Sequence, residues 1–224
     1  MKTHIFGFLF LFFPCLFLAN ETNQEKLWFI GLEGGAGLYD LSLSVVITPN
    51  LRLYGENPYT GKMNYLLGIV GGFQKYTYEK VGFRFSFGIK GYYVEKFGEV
   101  SYDDSNVVNK TYHSLGDGGG FYAVLYYDGL FDFVHSGENR FGMILGIGIE
   151  QGVLFINRPN KDRTFGFMGN LPIRFGFQTQ FRHNIIDLVA NIPLGGVSLG
   201  GLFGEGFGVG SYNSTVTLGY KYLF

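Results

Sequence analysis

Between Val81 and Lys90 the chain alternates without a break: Val81, Phe83, Phe85, Phe87 and Ile89 hold one parity, and Gly82, Arg84, Ser86, Gly88 and Lys90 hold the other. Only an extended strand sorts residues with a period of two, because a helix would scatter both sets around its circumference. The pattern fills Val81 to Tyr93 and recurs from Leu27 to Tyr39, Met63 to Tyr76, Gly120 to Phe133, Phe141 to Phe155, Thr164 to Gln180, Asn184 to Leu194 and Tyr212 to Phe224. The links at Thr77 to Lys80, Val134 to Arg140 and Phe181 to His183 are short. Those at Ser42 to Lys62, Glu95 to Gly119, Ile156 to Arg163 and Gly195 to Ser211 are mostly long and rich in Gly, Asn, Asp and Tyr. Short and long links alternate, as they do in an up-and-down barrel of even strand number. The sequence therefore predicts an all-β fold, an eight-stranded antiparallel up-and-down barrel.

Alternation alone does not say which face meets which solvent. A soluble barrel in water would carry Lys and Glu densely on its polar parity, but here that parity is Gly, Ser and Asn with one or two charges per strand. Charged residues are 16% of the chain, against about 25% in an average soluble domain. Aromatics reach 19%, and they gather near strand ends at Trp28, Tyr76, Tyr92, Tyr93, Phe131, Phe133, Phe155, Phe165, Tyr220, Tyr222 and Phe224, as in a pair of interfacial girdles. Both features favour a transmembrane barrel, apolar outside and small and polar inside. The net charge of −1 offers no basic patch for nucleic acid.

The two ends extend this reading. Lys2 and His4 precede an apolar run from Ile5 to Leu18, too short for the roughly 20 residues of a membrane helix, so residues 1–19 are expected to be a removed signal peptide, cut near Ala19. Residues 20–224 then form a single barrel domain. The one cysteine, Cys15, falls inside that apolar run, which leaves the rest without disulfides or thiolate metal sites. At the other end Leu218, Tyr220, Tyr222 and Phe224 share one face of the last strand. That ending resembles the terminal-Phe signal by which bacterial outer-membrane barrels are recognised for assembly. The resemblance implies an outer-membrane location, with lipid, lipopolysaccharide and the barrel-assembly machinery as partners, periplasmic termini and extracellular long loops.

On the inward parity lie Glu33, Arg84, Lys90, Asp128, Asp132, Glu150, Arg174 and Asp187. An unpaired buried charge costs several kcal/mol, so a narrow lumen should bring opposite charges together. Counting from the turns pairs Arg84 with Asp128 or Asp132, and Arg174 with Asp187. Eight strands leave an interior just filled by side chains, hence a plugged barrel, with a narrow pore as the alternative. Pro172 sits mid-strand on the inward parity and cannot donate to the ladder, which predicts a bulge between Gly169 and Ile173. Pro193 lies near the outer end of its strand.

No catalytic residue, cofactor or metal site is expected. His113-Ser114, with Asp103, Asp104 and Asp117 in the same link, has the residue types of an outer-leaflet lipid-modifying enzyme, the second alternative, but not the spaced His-x-Ser of lipid A deacylases. His135 and His183 fall at turns on the opposite side. Asp103-Asp104-Ser105-Asn106 lacks the ligand spacing and distal Glu of a calcium loop. Gly204 to Gly210 precedes a strand, so no helix N-terminus is there to hold a phosphate. Asn109-Lys110-Thr111 and Asn213-Ser214-Thr215 match the glycosylation triplet and read as coincidence in a bacterial barrel.

The stretches Trp28 to Gly35 and His183 to Leu194, together with the Tyr-rich terminal strand, resemble the barrel of the Helicobacter-type outer membrane protein family, and the general shape resembles small barrels of the OmpA and OmpX kind. In that family the barrel often anchors a large inserted adhesin domain, for which this chain has no room. The resemblance implies an integral outer-membrane barrel whose surface-exposed loops carry a structural or surface-interaction role, including any extracellular ligand.

Overall fold

Each of the eight alternating segments is a strand paired antiparallel with its neighbours, in a computed structural model that describes residues 26–40, 45–47, 53–54, 59–102, 110–157, 164–200, 207–210 and 214–224. The strands are β1 (Leu27–Asp40), β2 (Val45–Ile47), β3 (Leu53–Tyr54), β4 (Tyr59–Tyr76), β5 (Val81–Tyr102), β6 (Lys110–Ser136), β7 (Asn139–Ile156), β8 (Thr164–Phe181), β9 (Asn184–Gly200), β10 (Phe207–Gly210) and β11 (Ser214–Leu223). The wall runs β1-β4-β5-β6-β7-β8-β9-β11 and closes where β11 pairs with both β9 and β1. Closure leaves no sheet edge within this wall. The signal segment expected at residues 1–19 lies outside the described residues.

Hydrogen-bonded partners can be followed round the wall from Leu27 through Gln74, Arg84, Asp128, Gly146, Arg174, Asn191 and Thr215. They return to β1 at Gly37, ten residues beyond the start. At about 3.3 Å per residue and about 4.8 Å between strands, that stagger tilts the strands about 41° from the axis and sets a backbone radius of about 8 Å. Such a lumen has room for side chains and little else.

Several strands outrun their expected bounds. The link expected at Glu95 to Gly119 is largely a hairpin, β5 continuing to Tyr102 and β6 starting at Lys110, and β9 continues to Gly200 beside β10, which in turn pairs with β2 and β2 with β3. Backbone pairing continues there without the period of two, because alternation is imposed only where the two faces of a strand meet different surroundings. At Pro172 the β8–β9 register shifts between Asn170 and Pro172, and the β7–β8 ladder skips from Ile147↔Ile173 to Glu150↔Asn170. The expected bulge is therefore present, and Pro172 faces Pro193 across it. The opposite end closes with tight turns, Gly137 taking φ 61° and Arg182 φ 52°.

Burial follows parity along the wall; in β11 exposed and buried residues alternate through all ten positions. The exposed parity is aliphatic at mid-height, with Ile30, Leu32, Leu67, Ile69, Ile89, Ile149, Leu188 and Leu218 each more than half exposed or at that mark. Aromatics ring it. At the turn end Trp28 packs edge-on against Phe73, Phe73 stacks on Phe85, Phe83 on Tyr127 and Phe141 on Phe177. Tyr65, Tyr93 and Phe121 mark the other end. Tyr76 and Tyr92, expected in these girdles, instead point into the lumen at 4% and 5% exposure. From Phe83 to Tyr93 are ten residue steps along β5, an axial height of about 25 Å at this tilt, which is the height of a lipid-facing barrel belt. Water does not tolerate so continuous an apolar surface, whereas closed strands pair the great majority of the backbone groups that lipid would leave unsatisfied. The barrel is thus built with lipid as its outer solvent.

Candidate functional site

The chemistry of this molecule is concentrated in its lumen. The eight inward charges predicted from the sequence are all buried: Glu33, Arg84, Lys90, Asp128, Asp132, Glu150, Arg174 and Asp187 range from 0% to 7% exposed. Lys221 joins them from β11, and Arg140 from the start of β7, giving five cations against five anions. Lys221 alternates with Tyr220 and Tyr222, so parity alone identifies it as inward. Arg140 was hidden by its place beside a turn.

The pairing is not the one expected. Arg84 bonds Asp187 at 2.9 Å, and Arg174 bonds Asp128 at 2.8 Å. Arg84 and Asp128 are register partners on adjacent strands, yet their heads part company. Strand tilt accounts for it. Each step round the wall along the register climbs about 3 Å, so Arg84's ladder partner on β9 is far above it, and Asp187, four residues lower on β9, returns to its level. β5 and β9 are also the third and seventh strands of the wall and face each other across it, within reach of an arginine. Arg174 fails to meet Asp187 because Gln178 is the residue opposite Asp187 in the β8–β9 ladder.

The remaining bonds connect these pairs into one chain. Lys90 reaches Glu33 at 2.6 Å, Glu33 meets Lys221 at 3.0 Å, and Lys221 meets Asp187 at 2.6 Å. Arg84 then donates to Gln74 and Gln178, and Gln178 donates to the Tyr76 hydroxyl at 3.0 Å. Tyr76 donates to Asp132, which Arg140 holds at 2.8 Å while its guanidinium lies 3.8 Å from the Tyr76 ring centroid. Upward, Lys90 donates to Tyr126, and Tyr126 donates to Glu150 at 2.6 Å, whose other oxygen accepts from Asn170 at 3.0 Å. The Arg174 guanidinium lies 3.7 Å from the Tyr126 ring centroid and donates to Asn191 at 2.9 Å. Room for these heads comes from inward glycines: a Cβ on Gly146 would strike Asp128 Oδ1, and one on Gly219 would strike Asp187 Oδ1.

Each end of the lumen is stopped. At the turn end Arg140, Tyr76, Asp132 and a Gln74–Gln180 bond of 3.0 Å fill the section. Towards the long links the filling turns apolar, with Leu66, Tyr92, Val94, Tyr122 and Leu154 all buried and the Tyr92 hydroxyl bonded to Val153 O at 3.3 Å. Paired charges sealed between two stoppers form a polar core rather than an open site.

The other sequence motifs are scattered. His113 and Ser114 belong to β6, opposite Glu99 and Gly98, rather than to a loop. Asp103 to Asn106, Asn109, Gly204 to Gly206 and Asn213 fall outside the described residues. Asp117 accepts from the Tyr93 hydroxyl at 2.8 Å at the rim. His135 lies at the turn end, 3.3 Å from Glu79, and the ring of His183 lies 5.9 Å from that of Tyr222. In the assembly stretch Leu218, Tyr220, Tyr222 and Phe224 face outward, and Phe224 and Trp28 exchange backbone bonds of 2.9 and 3.2 Å at the closing seam.

No family model and no curated protein matches this chain. Among solved structures it resembles Ail, the attachment invasion locus protein of Yersinia pestis, in complex with the heparin analogue sucrose octasulfate, at 14% identity and a TM-score of 0.40, over 88% of this chain and 99% of that one. A major outer membrane protein from Thermus thermophilus is similar at 12% identity and a TM-score of 0.40, over 88% and 99% of the two chains. The outer membrane protease OmpT from Escherichia coli is similar at 10% identity and a TM-score of 0.42, over 88% and 97%. These comparisons do not show the Helicobacter-type family, and the barrel assignment rests on the strand pairing itself.

Proposed function

We propose that this protein is an integral barrel of a bacterial outer membrane, non-catalytic and non-conducting, whose part beyond the membrane carries a structural or surface-interaction role. The observation that carries this reading is the inversion of the molecule, with an apolar belt outside and ten mutually compensated charges sealed inside. A conducting pore would need a wet lumen, where such pairs are screened; an outer-leaflet enzyme would need a nucleophile and base converging at the rim. The tight turns and both ends of the described wall face the periplasm in this reading, and the long hairpins face outward, with the lipid around the barrel and the assembly machinery as partners. The kinship with Helicobacter-type barrels rests on the three stretches quoted above.

Protease added to intact cells tests the topology: cleavage confined to the long links is expected, and cleavage at the tight turns would reverse it. Planar bilayers containing the refolded protein should stay silent, and lipid A from expressing cells should keep its mass. Discrete conductance steps would establish the pore, and a changed lipid A mass the enzyme.

A further inference from the structure

Lys26 and Lys75 stand side by side at the turn end of the outer wall. The β1–β4 ladder pairs Leu27 with Gln74, so the next rung sets Lys26 opposite Lys75. Both lie on the lipid-facing parity, Lys26 two residues before Trp28 and Lys75 two beyond Phe73. Lys26 Nζ lies 4.1 Å from the Phe73 ring centroid and 5.8 Å from that of Trp28, and Lys75 has Phe83 as its partner on β5. The three rings form an edge-to-face cluster, with Phe73 at 5.5 Å from Trp28 and 6.1 Å from Phe83. Like charges directly opposite each other destabilise a ladder. Yet among the described residues no carboxylate forms an ion pair with either lysine. The described acids of the links at this end are Glu79 and Glu138, and Glu79 is turned to His135 at 3.3 Å.

We infer that this lysine pair binds the phosphodiester of an anionic phospholipid, with one oxygen toward each ammonium and the acyl chains running over Trp28, Phe73 and Phe83 into the apolar belt. The pair sits just outside the aromatic girdle, where the belt gives way to head groups, and that is the depth of a lipid phosphate. One phosphate shared by both ammoniums turns the repulsion across the rung into two attractions, stronger here than in bulk water because the wall and the lipid exclude part of the solvent. The face of Phe73 holds the Lys26 ammonium at the rung, which lowers the ordering cost of a flexible side chain. A zwitterionic head is disfavoured, because its own ammonium would meet two lysines and no described carboxylate. This inference rests on the membrane reading and on the turn end facing the periplasm, where the leaflet of an outer membrane is phospholipid. It adds a preferred head group at one place on that end.

The test is native mass spectrometry of the refolded barrel released from detergent, after exposure to phosphatidylglycerol or to phosphatidylethanolamine. A lysine near an anionic surface strengthens attachment about fivefold, so the wild type should retain phosphatidylglycerol over phosphatidylethanolamine by at least about tenfold. Lys26→Gln and Lys75→Gln should each cut that preference by about fivefold, and the double variant should retain the two lipids equally. Arg182→Gln removes an exposed cation from the same end, in the β8–β9 turn on the far side of the wall, and should leave the preference as it is. Unheated gels check that every variant is a folded barrel. Equal retention of the two lipids by the wild type, a preference that survives in the double variant, or an equal fall in Arg182→Gln overturns the inference, the last because it reduces the effect to net charge. A barrel that inserts into vesicles but shows no preference refutes the lysine site alone, whereas a barrel that fails to insert refutes the membrane reading.

Discussion

Arg84→Ala tests whether the lumen is organised across the barrel or along its ladders. Arg84 is fully buried and bonds Asp187, Gln74 and Gln178. Removing one partner of a buried pair costs about 3–5 kcal/mol, most of it from the charge left behind. Here Asp187 keeps Lys221 at 2.6 Å, so the loss should fall at the low end, about 3 kcal/mol. Asp187→Ala should cost a similar amount, because Lys221 then falls back on Glu33 at 3.0 Å. The double variant should recover about 1–3 kcal/mol relative to additivity, the coupling of residues in direct contact. Arg84 with Asp128 is the control: the two are ladder partners, yet no bond joins their heads, and their losses should add to within about 0.5 kcal/mol. Denaturant titrations in lipid vesicles measure all of this, with the single tryptophan, Trp28 on the outer face, reporting unfolding. Strong coupling to Asp128 and additivity with Asp187 would refute the tilt geometry. Additivity with both would mean that the lumen is wet enough to screen its charges, and would restore the pore.

Ile69→Arg, at 58% exposure between Leu32 and Ile89 at mid-belt, should cost about 2–4 kcal/mol in the same titration, while Ser86→Ala, inward and without a hydrogen-bond partner for its hydroxyl, should change stability by less than about 0.5 kcal/mol. Asn170→Asp replaces the amide that donates to Glu150 with a second carboxylate and should lose about 1–3 kcal/mol in the same titration. Deleting Phe224 removes both seam bonds with Trp28 and should lower the amount of heat-modifiable, folded barrel in the outer membrane, measured on unheated gels; wild-type levels would dismiss the terminal strand as an assembly signal.

The wall of this barrel was legible in the sequence because lipid and lumen impose opposite chemistry on alternate residues, and Val81 to Lys90 shows both at once. Parity also named the buried charges, since it depends on nothing beyond the strand. Their partners were not legible. Pairing depends on height, and height depends on a stagger of ten that only the closed register reveals; counting residues from a turn treats strands as upright, and at about 41° of tilt that error grows by about 3 Å per strand. Arg84 and Asp187, more than a hundred residues apart and on opposite walls, share a level for this reason. A narrow tilted barrel therefore couples its far strands through the lumen as well as its near ones through the ladder. Breaking one interior pair should loosen strands on both sides of the barrel together, because Asp187, Lys221 and Glu33 tie β9, β11 and β1 across the closing seam to Arg84 and Lys90 on β5.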